Sequence, residues 1–191
     1  GQSLIADSFL DVSVLFADLV GFTHFAAHKS AAETVKVLNH IFSQFDQLSL
    51  QHGLEKIKTI GDAYMVVGGL PEPKANHAEA IAQMALDMQA AVAKFNVKNN
   101  QSFSLRIGIN IGSVVAGVIG LTKFSYDLWG DTVNVAHRME SNGISGEIQV
   151  TEAVYERLKD KFVFKMRGAI EVKGKGKMVT YLLVSRLTVD S

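Results

Sequence analysis

The chain has 191 residues, 19 basic and 19 acidic side chains, 48% hydrophobic residues and no cysteine. That length suits one domain with a sizeable core, while the balanced charge excludes a global field that recruits nucleic acid or an anionic membrane. The lack of cysteine excludes a disulfide framework and a thiolate zinc site.

No apolar run approaches the ~20 residues of a membrane span, and no signal-peptide pattern opens the sequence. The fragment is therefore expected to touch no membrane and to work in the cytoplasm, with room left for a membrane-attached parent protein. A lead-in over 1–10, containing Leu4, Ile5, Phe9 and Leu10, precedes a first strand over 11–19, whose near-continuous apolar character suits a central strand. Its end delivers Asp18, and a carboxylate there needs a partner, because burying an unpaired charge is costly. Val20, Gly21, Phe22 and Thr23 then form a small loop, in which glycine lets backbone amides approach an anion.

Ser30 and Glu33 form a capping box, followed by Leu38, Ile41, Phe42, Phe45 and Leu48 at helical spacing until Gly53. Two short apolar runs flank Gly61 and Asp62, which predicts a hairpin with a second carboxylate at its turn. Two strand-end carboxylates suit magnesium, which takes carboxylate oxygens together with substrate phosphates. The plainer alternative is that Asp18 caps a turn and Asp62 merely makes one. A second helix starts after Asn76, with Glu79 three residues on, and buries Ile81, Met84, Ala85, Met88, Val92 and Phe95. Leu105, Ile107, Ile109 and Ile111 alternate with Arg106, Gly108, Asn110 and Gly112, which predicts a strand with one polar face. Val114, Val115 and Val118 predict its return in another hairpin.

This order is the ferredoxin-like, split β-α-β pattern of the α+β class: a palm-like antiparallel sheet core with helices on one face. It brings Asp18 and Asp62 to a common edge. A C-terminal α/β extension follows, opening with a helix from about Asp131 on which Asn134 and Arg138 share a face suited to an anion. Next come a short strand over 147–150, a helix after Thr151, and strands over 162–166 and 169–172. The basic turn Lys173, Gly174, Lys175, Gly176 and Lys177 leads into a last strand over 179–184. The domain is expected over 11–186, with a tail over 187–191. His24 and His28 are four apart, but no third metal ligand accompanies them.

Together, the segments around Asp18, Asp62, Asn134 with Arg138, and Lys173 resemble the class III nucleotidyl cyclase catalytic domain, over roughly 11–184. The resemblance implies that the 3′-hydroxyl of a nucleoside triphosphate attacks its own α-phosphate, giving a 3′,5′-cyclic monophosphate and pyrophosphate. It implies that Asp18, Asp62 and the Leu19 carbonyl hold two divalent ions, Mg2+ or Mn2+, and that Gly21, Phe22 and Thr23 meet the phosphates. Asn134 would orient the ribose, Arg138 would stabilise charge on the α-phosphate, and Lys173 would meet the triphosphate.

Lys58 and Asp127 occupy the family's base-reading positions, and a Lys donor with an Asp acceptor complements adenine, so the expected substrate is ATP. A guanylate cyclase is the alternative, and a catalytically silent cyclase-like module the more distant one. The resemblance also implies a head-to-tail homodimer with two shared sites. Thr122 stands where many relatives place a triphosphate-binding Arg, and Lys123, one position on, is the candidate to replace it.

Overall fold

The computed structural model describes residues 6–120, 122–123 and 125–188. Leu4 and Ile5 of the lead-in and the last three residues of the tail lie outside the described residues. β1 (Ala6–Val20) is the axis of the sheet, hydrogen-bonded on one side to β3 (Ala63–Gly68) and on the other to β4 (Ser104–Ile119), both antiparallel. Its apolar run has two uses. Leu15, Ala17 and Leu19 face one core, while Val12, Val14 and Phe16 face another, so a strand covered on both sides reads as continuously apolar.

The first core is closed by α2 (Ala31–Gln51), α3 (His77–Asn99) and α5 (Glu152–Leu158), through Ile41, Phe45, Ile81, Met84, Met88, Val92, Phe95, Val154 and Leu158. The second core lies beneath α4 (Asp131–Ser141), which contributes Ala136 and partly buried Val133. Helices α2 and α3 of the ferredoxin-like core, joined by α5 of the extension, thus cover one face, and α4 covers the other. The eight-stranded sheet has the order β2-β3-β1-β4-β6-β8-β7, with β2 (Glu55–Ile60), β6 (Ile148–Thr151), β7 (Phe162–Val172) and β8 (Gly176–Arg186); β5 (Ser125–Trp129) pairs with the far end of β4. Only β4 with β6 is parallel among the described pairs.

Several boundaries differ from the sequence expectation, each for a packing reason. The strand at the start begins at Ala6, because Ala6 to Phe9 pair with Gly117 to Val114 before a register shift between Phe9 and Val12. The hairpin expected after Ile111 is instead one continuous strand, since β1 pairs along it on one edge and β5 takes its far end on the other. Likewise β7 runs unbroken from Phe162 to Val172, absorbing a register shift between Met166 and Gly168.

Caps divide in the same way. Ser30 accepts from the Glu33 amide, as a cap should, whereas Asn76 makes no side-chain cap and Thr151 donates instead to Asn110 Oδ1 at 2.8 Å. The entry to α3 is fixed differently: buried His77 joins Ser13 Oγ at 3.0 Å and Asp11 Oδ2 at 2.8 Å, and Arg157 of α5 clasps both Asp11 oxygens at 2.7 Å. That bidentate pair, with His77 adding to it, holds the Asp11 carboxyl well below the usual carboxylate range.

Candidate active site

The acidic end of the site is made by strand pairing. Asp18 lies opposite Ala63 on β3, one residue past the Gly61-Asp62 turn, and the Leu19 amide donates to the Asp62 carbonyl at 3.2 Å. The hairpin is therefore tied to the end of β1 by its backbone, and the two acids are brought to one place. Burial pushes the Asp18 carboxyl up to about 6, with the charges of Asp62 and then Glu140 adding to the rise and Arg106 opposing it. A half-buried carboxylate beside two more is a site that favours a cation. Among the described residues no cluster of three His, Cys, Asp or Glu has metal-holding geometry, and the expected pair of Asp18 and Asp62 is a set of two. Magnesium and manganese tolerate such a sparse set, because water, a backbone carbonyl and substrate phosphates complete their octahedra.

Gly21 follows directly, with φ +90°, in the left-handed region that favours glycine, and starts α1 (Phe22–Ala27). No side chain caps this short helix, so its first amides, at Phe22 and Thr23, are left without an intrahelical partner. Phe22 is buried against Phe25 and Phe103, which fixes the loop beside β1.

A second group gathers around α4. Asn134 and Arg138, one turn apart, line a cleft of about 470 Å³ together with Lys173, Gly174 and Lys175 from the β7–β8 turn. Lys175 forms an ion pair with Asp131, joining that turn to the first residue of α4. The helix is seated by close backbone contact: a Cβ on Gly108 would stand 2.1 Å from the Glu140 nitrogen and 2.5 Å from the Met139 carbonyl carbon. The buried Asn110 side chain donates to the Thr132 carbonyl at 3.2 Å and holds its first turn.

Lys58 and Asp127, 69 residues apart, meet as an ion pair at 2.7 Å between β2 and β5, and Asp127 also accepts from the Leu128 amide at 2.8 Å. Lys123 is exposed in the segment before β5. Sequence reasoning missed Arg106, which stands opposite Asp18 in the β1–β4 register and bridges Asp18 to Glu140 of α4. Its only signal was a basic residue on the polar face of a strand next to the acid-bearing one.

A palm-like sheet that ends in paired acids, next to an uncapped glycine turn and a basic cleft, is an arrangement suited to phosphate-bearing ligands. Comparison narrows it. Residues 4–185 match the family described as the adenylate and guanylate cyclase catalytic domain. An adenylate cyclase of Mycobacterium tuberculosis is 51% identical over 185 residues, covering 97% of this chain and 42% of that protein. The guanylate cyclase domain of RhGC from Catenaria anguillulae, solved with GTP, superposes with a TM-score of 0.91 at 38% identity, covering 95% of this chain and all of that one. A guanylyl cyclase domain of the RhoGC fusion protein from the aquatic fungus Blastocladiella emersonii, described as a non-canonical dimer, gives a TM-score of 0.87 at 35% identity, covering 95% of this chain and 99% of the other. The chain belongs to the adenylate and guanylate cyclase catalytic-domain family, and it spans less than half the length of the mycobacterial relative.

Proposed function

We propose that the chain is the catalytic domain of an adenylate cyclase, converting ATP to 3′,5′-cyclic AMP and pyrophosphate at two composite sites of a head-to-tail homodimer. The observation that carries the reading is the cleft shared by Asn134, Arg138 and Lys173, three residues from two separate elements, in a chain that also gathers Asp18 and Asp62.

In the reaction the 3′-oxygen forms a bond to the α-phosphorus, the bond from that phosphorus to the bridging oxygen breaks, pyrophosphate leaves, and the hydroxyl proton passes to solvent. Asp18, Asp62 and the Leu19 carbonyl would hold two divalent ions, Mg2+ or Mn2+. When bound, such ions lower the pKa of the 3′-hydroxyl and neutralise the triphosphate. The amides after Gly21, at Phe22 and Thr23, donate to oxygens of the β- and γ-phosphates. Across the dimer, Asn134 fixes the ribose, Arg138 stabilises charge developing on the α-phosphate, and Lys173 meets the triphosphate as a point charge, so catalysis is chiefly positioning and electrostatics. Lys123 is the candidate to meet the triphosphate in place of the Arg that many relatives carry.

Specificity for ATP rests on Lys58 and Asp127. Their ion pair presents a donor and an acceptor side by side, which matches the N1 acceptor and N6 donor of adenine and mismatches guanine. Both adenylate and guanylate cyclases are among the similar proteins, so the substrate is tested directly. No helix among the described residues is long and apolar enough to cross a membrane. We place the domain in the cytoplasm, where ATP is available, with no nucleic-acid partner and no membrane contact of its own.

The test is to incubate the purified domain with ATP or GTP and with Mg2+ or Mn2+, and to identify the product by mass spectrometry. Cyclic AMP from ATP, in excess over cyclic GMP from GTP, is expected. A preference for GTP would shift the reading to a guanylate cyclase, and no cyclic product from either would withdraw it.

A further inference from the structure

Glu140 takes no part in the reading so far, yet it is a buried carboxylate, 5% exposed, in the last turn of α4. Its backbone is pressed onto Gly108 of β4, where a Cβ would stand 2.1 Å from its nitrogen, so the position of its side chain is set by the seat of the helix. Among the described residues its side chain has one hydrogen-bond partner, Arg106, whose Nε donates to Glu140 Oε2 at 2.9 Å. The other end of the same guanidinium reaches Asp18 Oδ2 at 3.3 Å. The two bonds are unequal. A charge-assisted N–H···O bond is usually about 2.7–2.9 Å, and a free guanidinium facing a carboxylate closes onto it through two such bonds. Here the Glu140 side makes the normal contact, and the Asp18 side makes one long contact.

We propose that Glu140 is a positioning residue for the acid pair: by holding Arg106 through Nε, it keeps the guanidinium from closing on Asp18 and leaves that carboxylate open to a divalent cation. This rests on Asp18 being a metal ligand, as proposed above. A guanidinium and a metal ion compete for the same carboxylate oxygens, so the strength with which Arg106 is held back sets the metal affinity. Residues that orient a ligand in this way commonly change metal affinity by about tenfold to a hundredfold when altered.

Mn2+ binding to the nucleotide-free domain, followed by the electron paramagnetic resonance signal of the free ion, tests the proposal without relying on turnover. E140Q keeps the shape but removes the charge that anchors Arg106, and it should weaken Mn2+ binding about tenfold. E140D keeps the charge and should stay within about threefold of the parent. In an R106Q background the effect of E140Q should vanish, because no guanidinium is left to restrain. If E140Q weakens Mn2+ binding equally in both backgrounds, Glu140 acts by direct attraction and the proposal falls. If E140Q lowers Tm but leaves Mn2+ affinity unchanged, its role is structural and the proposal likewise falls. Should R106Q not fold, the contrast between E140Q and E140D decides: loss in both, or in neither, overturns the proposal. D18A separates the two readings. Binding as tight as in the parent would show that Asp18 is no metal ligand and would remove both, whereas loss in D18A with none in E140Q would remove this one alone.

Discussion

Asp18 carries an electrostatic conflict that a proton or a bound cation would relieve. Its carboxyl is pushed from 3.8 to about 6 by burial and by its acidic neighbours, so the metal-free fold takes up a proton between those two values. Because the folded state binds more protons than the unfolded one in that window, stability falls as pH rises through it, and above about 6 the ionised carboxylate is a net cost. Asp18→Asn should therefore raise the Tm of the metal-free domain at about pH 8, with the gain shrinking as the pH drops toward the unfolded value. Asp18→Ala should abolish cyclisation, measured as cyclic AMP formed, while circular dichroism stays unchanged. At the base-reading pair, Lys58→Glu with Asp127→Cys inverts the donor and acceptor edge. Competition assays with ATP and GTP should show a sharp loss of ATP use, and an unchanged ATP preference would mean that these residues do not read the base.

α4 is the element on which the most depends, since it brings Asn134, Arg138 and Glu140 to their places. It comes onto β4 with its backbone in close contact at Gly108. Gly108→Ala would put a methyl group into the Glu140 and Met139 backbone and the Ala136 carbonyl, none of which is the flexible end of a side chain. Overpacking of this kind costs about 1–3 kcal/mol, and here it must also lift the helix. The expected outcome is a lower denaturation midpoint in urea together with a fall in kcat larger than the stability loss explains. Gly112→Ala should be milder, because its new Cβ would meet the Thr132 side chain, which can rotate.

Within one molecule, Asp18 and the Asn134–Arg138 cleft sit on opposite sides of the proposed division of labour, so the complete site needs two copies. Asp18→Ala damages one half and Asn134→Ala the other, and each homodimer then has two damaged sites. In a mixture with free exchange, about half of the dimers are mixed and each has one intact site, so about a quarter of the parent activity should return. Rescue should fall on dilution, as association weakens by mass action. Once exchange is demonstrated by mass spectrometry of labelled subunits, a mixture no more active than its components would refute the shared site.

The sequence by itself determined the palm-like order of elements, because period-two and helical patterns are local and the apolar continuity of β1 announces a strand covered on both faces. It also supplied the acids at Asp18 and Asp62, since a hairpin turn and a strand end are both legible from neighbours in the chain. Pairing decided the rest. The continuity of β4 through Gly112 depends on β1 and β5 lying on its two edges, which no local pattern reports. The opposite-face seat of α4 depends on the absent side chain at Gly108. Lys58 and Asp127 meet over 69 residues, and Arg106 joins Asp18 to Glu140 over 88 and 34 residues. Such contacts have no period in the sequence, because they arise only when the sheet sets the distance between strands that the chain visits far apart.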